Sequence, residues 1–86
     1  MSEISRFLGI VIAMFYNDHE PAHFHAIYGE FEATIDIETG RLLQGNLPRR
    51  ALTHVIEWLG LHKEELIENW KLARERQTLK KIQPLE

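Results

Sequence analysis

Three of the chain's five histidines and two carboxylates fall within eight residues, Asp18-His19-Glu20-Pro21-Ala22-His23-Phe24-His25. Imidazole is the commonest protein metal ligand and the side chain that titrates nearest neutrality. Such a cluster suits a metal site, a general-base site or a proton-sensitive binding surface. His23-Phe24-His25 is a His-x-His pair. On a strand, residues i and i+2 point the same way, so both rings can reach one ion. Asp18 and His19, on the preceding segment, extend the candidate metal ligands to Asp18, His19, His23 and His25. That donor set suits a divalent transition metal: zinc, iron, nickel or manganese. The competing reading is a polar network of half-exposed histidines bonded to Asp36, Thr34 and the loop backbone.

Further candidates lie outside the cluster. A carboxylate beside an imidazole orients the ring and raises its basicity, which would make His23 with Asp36 a general base. A plain cross-strand polar pair is the alternative. Trp58, His62, Glu65 and Asn69 recur at steps of four, three and four and share one helix face. They could add polar groups to the site, with His62 a third catalytic candidate beside His23 and Asp36. Otherwise Trp58 is core, His62 marks a boundary, and Glu65 and Asn69 are solvated. Arg49 and Arg50 open a helix where acids are favoured, which points to an anionic partner, either phosphate or acidic protein. Ordinary surface charge explains them as well. No serine or cysteine nucleophile with an adjacent base is evident, and there is no phosphate-binding glycine loop.

The elements that must position these groups follow from periodicity. Ile10 to Phe15 is an uninterrupted, partly β-branched apolar run and reads as a buried strand. Asn17 to Pro21 is a polar connection. Ala22 to Tyr28 alternates, with His23, His25 and Ile27 on one face and Phe24, Ala26 and Tyr28 on the other. Gly29-Glu30 fits a type II′ turn. Phe31 to Ile37 then returns with Phe31, Ala33, Ile35 and Ile37 on one face. The expected register sets Tyr28 against Phe31, Ala26 against Ala33, Phe24 against Ile35, His25 against Thr34 and His23 against Asp36. Glu38-Thr39-Gly40 marks a second turn and Arg41 to Gln44 a short final strand.

From Pro48, suited to a first helical position, the period changes to that of a helix. Leu52, Val55, Ile56 and Leu59 and then Leu66, Ile67, Trp70 and Ala73 form the apolar stripe. Gly60 either ends one helix or lies within a single long, mildly kinked one. The Ile82-Gln83-Pro84-Leu85 tail is expected to dock on the sheet. The sum is an α+β domain over residues 1–86. It has a three- or four-stranded antiparallel meander at about 9–46, one long or two consecutive helices at about 48–76, and a tail at 77–86.

Composition narrows the function classes. Net charge is −3, with 10 basic and 13 acidic residues, so a strongly basic nucleic-acid-binding domain is excluded, although basic residues gather in the C-terminal half. The chain has no cysteine, which rules out disulfides and thiolate zinc sites and fits a reducing cytoplasm. No signal peptide or bilayer-length apolar run is expected. The apolar strand Ile10–Phe15 carries Val11, Ala13 and Phe15 on a face that one helical layer leaves uncovered. Self-association or capture by a partner is the expected consequence.

The ordered set of Ile10 to Tyr16, Asp18-His19, His23-Phe24-His25, Tyr28-Gly29-Glu30, Leu47-Pro48-Arg49-Arg50, Glu57-Trp58, Leu61-His62, Glu65-Leu66 and Asn69-Trp70 resembles a small prokaryotic family, domain of unknown function 4160. The resemblance runs from Ile4 to Leu85. The chain departs from the family's usual second proline before the histidine strand, where it has Ala22. The resemblance implies a cytoplasmic bacterial or archaeal protein, encoded beside another small gene in what looks like a toxin–antitoxin or regulatory pair. The leading expectation is therefore a small interaction protein. It would act as a homo-oligomer or with a small partner protein from a neighbouring gene, with nucleic acid as a further partner and no membrane. The alternative is a metal-dependent hydrolase or nuclease.

Overall fold

The computed structural model describes residues 2–86. Five strands, β1 (Ser2–Phe7), β2 (Ile10–Met14), β3 (His23–Tyr28), β4 (Phe31–Asp36) and β5 (Leu42–Gly45), precede a single helix, α1 (Arg49–Arg74). The strands pair antiparallel in sequence order, β1-β2-β3-β4-β5. The α+β architecture is as expected, but the sheet has five strands, at least one more than the three or four that the sequence pattern suggests. The additional one is β1. Its pairing with β2 shifts between Glu3 and Ser5. The extra residue at that bulge lets both Ile4 and Phe7, three apart, enter the core. Glu3 and Arg6 are likewise brought together as an ion pair at 2.8 Å. The Arg6 guanidinium, hydrogen-bonded to Glu3, holds that carboxyl below its ordinary range.

The β3–β4 register is the expected one throughout, from Tyr28↔Phe31 to His23↔Asp36. Gly29 takes φ +59°, as the first position of a II′ turn requires. One sheet face packs on α1. Ile10, Ile12, Met14, Phe24, Ala26, Ala33, Ile35 and Ile37 are buried there with Ala51, Val55, Trp58, Leu59, Leu66, Trp70 and Ala73. The helix is rotated slightly from the expected stripe. Trp58 is fully buried and Ile56 is left exposed. Pro48 is the N-cap residue, one position before the helix, and offers no side-chain cap. The kink falls at His62 (φ −128°, ψ 26°), two residues beyond Gly60, so the helix neither ends at the glycine nor runs straight through.

The tail docks on the outer edge of the sheet. Ile82 N–H donates to the Ile4 carbonyl at 2.8 Å, and Ile82 is buried. Trp58 Nε1 donates to the Gln83 carbonyl at 2.9 Å. Asn69 is buried and exchanges two hydrogen bonds with the Lys80 backbone, at 2.9 Å each. The β1 edge is thereby covered at Ile4. The other, β5, is exposed along its length.

The middle of the reverse face is less exposed than the strand pattern suggests. Ala13 is already buried within the chain, and Val11 and Phe15 are half-buried. The exposed large apolar side chains are elsewhere: Leu8, Tyr28, Phe31, Leu42, Leu43, Ile56 and Leu61.

Gly45 holds the β4–β5 junction in a form no other residue can take. Its φ is +74°, and a Cβ there would come 2.0 Å from the Glu32 carbonyl oxygen. That oxygen already accepts the Asn46 N–H at 3.2 Å. Gly45→Ala is expected to cost roughly 2–4 kcal/mol, combining backbone strain and overpacking. Urea unfolding beside the parent chain measures this, and a loss within error of zero would refute the conformation.

Candidate metal centre

The first five residues of the cluster lie on the β2–β3 connection and the last three are the first residues of β3. His23 and His25 are two apart on one strand and leave it on the same side. The connection folds back so that one oxygen, Asp18 Oδ2, lies 2.9 Å from His23 Nε2 and 3.0 Å from His25 Nε2. Ligand atoms of Asp18, His23 and His25 all fall within 4.8 Å of one another. Both imidazole side chains are only 11% exposed, and the Asp18 side chain is 24% exposed.

The surroundings fix the rings from behind. His23 Nδ1 is 2.7 Å from the Pro21 carbonyl, which can only accept, so this nitrogen carries the hydrogen. In a neutral ring Nε2 is then a bare lone pair, and it faces a carboxylate oxygen. Two acceptors at that distance repel unless a proton or a cation stands between them. His25 Nδ1 lies 3.4 Å from both Glu32 Oε2 and Thr34 Oγ1. A carbonyl or carboxylate behind each histidine, with the far nitrogens converging, is the arrangement that prepares imidazoles for a metal.

Aromatic rings close the site. The His23 ring centroid is 5.1 Å from that of Trp70, and His25 is 4.3 Å from Phe15. The connecting loop is tied to the end of α1. Glu20 accepts from Arg74 at 3.0 Å and faces Trp70 Nε1 at 3.5 Å, and Asn17 Oδ1 accepts from Arg76 at 3.0 Å.

Other candidates from the sequence fall away from this centre. His19 is exposed and lies outside the converging set. Asp36 pairs with His23 in register, yet its Oδ1 accepts the backbone N–H groups of Glu38 and Thr39 at 2.8 and 3.0 Å. It caps the β4–β5 turn and makes no hydrogen bond to His23 among the described residues. His62 bonds to Glu65 on its own helix and stacks near Trp58, with 5.6 Å between centroids. It does not join His23. Arg49 and Arg50 are exposed at the start of α1 and make no ion pair among the described residues. Glu32, Trp70 and Glu20 surround the centre without having been singled out by the spacing of the histidines. Glu32 was open to inference, because it is a diagonal cross-strand neighbour of His25 in the register set by Gly29.

The fold and site define a small antiparallel sheet backed by one helix, with two histidines and an aspartate gathered at one end. The chain belongs to the family described as Domain of unknown function (DUF4160), whose model matches residues 9–71. The match is shorter than the resemblance from Ile4 to Leu85, leaving β1 and the tail outside it. No curated protein and no solved structure matches the chain. No helix among the described residues is long and apolar enough to cross a membrane.

Proposed function

We propose that this chain is a metal-binding interaction domain that holds one divalent transition ion between Asp18, His23 and His25. The observation that carries the proposal is the His23 ring, whose Nδ1–H is committed to Pro21 while its Nε2 faces Asp18 at 2.9 Å. Two nitrogen donors and one oxygen donor suit zinc, iron, nickel or manganese. Three protein ligands leave coordination positions for water or a ligand group, which is the pattern of exchangeable rather than closed structural sites. That leaves room for the hydrolase or nuclease alternative.

A separate observation supports the partner reading, in which the protein is half of a two-gene cytoplasmic module. The open β5 edge, which carries the exposed Leu42 and Leu43, is a strand that a second copy or a small partner protein would cover. Native mass spectrometry of untagged protein, alone and co-expressed with the neighbouring gene's product, tests both ideas. The expected spectrum shows one metal per chain, lost in Asp18→Ala, together with a dimer or hetero-complex. Unchanged metal content in Asp18→Ala would overturn the metal site. A metal-free monomer under all conditions would overturn both readings.

A further inference from the structure

The opposite end of the sheet from the metal centre holds an open cavity of about 300 Å³. Five residue steps along β3 separate Tyr28 from His23, roughly 17 Å at strand spacing. The cavity is walled by Leu8, Tyr28, Pro48, Arg50 and His54, with Ile10 beneath. We propose that it is a second binding site, for a small carboxylic acid with an aromatic or aliphatic body, in which Arg50 pairs with the carboxylate and Leu8 and Tyr28 enclose the body.

Three observations converge on that ligand class. The first is charge. Arg50 and His54 line the cavity and no carboxylate does. Arg50 makes no ion pair among the described residues, so its guanidinium is free for bidentate pairing. The first turn of α1 contains no acid, and its N-cap provides no side-chain acceptor, so the local field adds to the positive charge. One guanidinium matches a monoanion better than a phosphate dianion.

The second is the Leu8-Gly9 turn. Both residues have positive φ, +52° and +79°, as in a type I′ turn that normally takes Asn-Gly or Asp-Gly. A leucine there is strained, and at 59% exposure it gains little burial from the chain itself. Its side chain forms one lip of the cavity. Tyr28 forms the other, close over Gly9, where an added Cβ would meet the tyrosine ring at 3.3 Å. Strain held at a pocket mouth by an exposed apolar residue is explained by what enters the pocket.

The third is His54, whose Nδ1 is buried and has no hydrogen-bond partner among the described residues. A small turn of the ring would let a ligand oxygen satisfy it. The volume is at the lower limit for small-molecule sites, which restricts the occupant to a compact acid.

The test is an amide NMR titration of the full chain with phenylacetate, beside 2-phenylethanol as the neutral analogue. Saturable shifts are expected at Leu8, Gly9, Tyr28, Arg50 and Ala51, with a dissociation constant of about 1 mM for a fragment of this size. Arg50→Gln should weaken binding about tenfold or more, because the charge and the second hydrogen bond of the bidentate pair are lost while the amide keeps one neutral donor. Arg49→Gln, one residue away but outside the cavity, should leave it unchanged. Leu8→Asn should raise the melting temperature by relieving the turn while lowering affinity, a combination that a purely structural role for Leu8 does not give. Shifts that fail to saturate would overturn the proposal. So would shifts confined to His23 and His25, equal binding of the neutral analogue, or indifference to Arg50→Gln.

Discussion

Trp58→Ala is expected to bring the chain close to the unfolding threshold at room temperature. Trp58 is fully buried, with ring centroids 5.4 Å from Phe7 and 5.9 Å from Phe24. It joins three parts of the fold, because Phe7 ends β1, Phe24 lies in β3, and Nε1 holds the Gln83 carbonyl of the tail. Removing a buried tryptophan costs about 3–5 kcal/mol, and leaving the Gln83 carbonyl unpaired adds about 1 kcal/mol. A domain of this length has a total stability on the order of 4–13 kcal/mol, so the substitution consumes much of it. Trp58→Phe keeps an aromatic ring against Phe7 and Phe24 but loses the donor and part of the buried ring volume. Its loss should be smaller, about 2–3 kcal/mol, with faster hydrogen exchange at the Ile82 amide as the tail loosens. Urea unfolding gives the first quantity and exchange the second. A Trp58→Ala chain as stable as the parent would refute the central place of this ring in the core.

The parts of the fold legible in the sequence are those whose side-chain period is unbroken. Phe31 to Ile37 alternates cleanly, and Gly29 fixes the turn before it, so the β3–β4 register followed residue by residue. The period fails in β1. The bulge puts Ile4 and Phe7 three apart on the core side, a spacing that a regular strand does not give and that, read alone, suggests a helix. The helix stripe was legible in outline but not in rotation. Burial of Trp58 and Asn69 depends on where the tail and β1 lie, and these contacts are far apart in sequence.

The same division holds at the metal centre. Strand geometry alone places His23 and His25 together, and Asp18 is close by in sequence. Asp36 was a reasonable partner for His23 by register, but an aspartate two residues before the backbone N–H groups of a turn is readily taken by them. His62 was drawn in by helical spacing, which reports a shared face and not which sheet residues that face meets. Trp70, which does meet His23, is reached only through the full tertiary path of α1.

A divalent metal should stabilise the parent chain strongly and a histidine variant not at all. An ion bound only by the folded state adds about 2.7 kcal/mol at one hundred times its dissociation constant. For a domain of this size that corresponds to a rise in Tm on the order of 10–20 °C. Zinc titration with circular dichroism melts measures it, and a chelator should reverse it. Acid should abolish it too, because protonated imidazole has no lone pair for a metal. His25→Ala removes one of three converging ligand atoms and should leave Tm insensitive to zinc. Without metal the same variant should still lose about 1–3 kcal/mol. Its ring is 11% exposed and packed on Phe15, so the histidines contribute to the fold and are not an independent surface laid on a finished core. Comparing the two losses distinguishes the origins of stability. If His25→Ala lowered the metal-free Tm but kept the full zinc-induced rise, the ion would bind elsewhere, and Asp18, His23 and His25 would form a structural polar network. If parent and variant were equally indifferent to zinc, nickel, iron and manganese, the proton on His23 Nε2, and not a metal, would be what bridges it to Asp18.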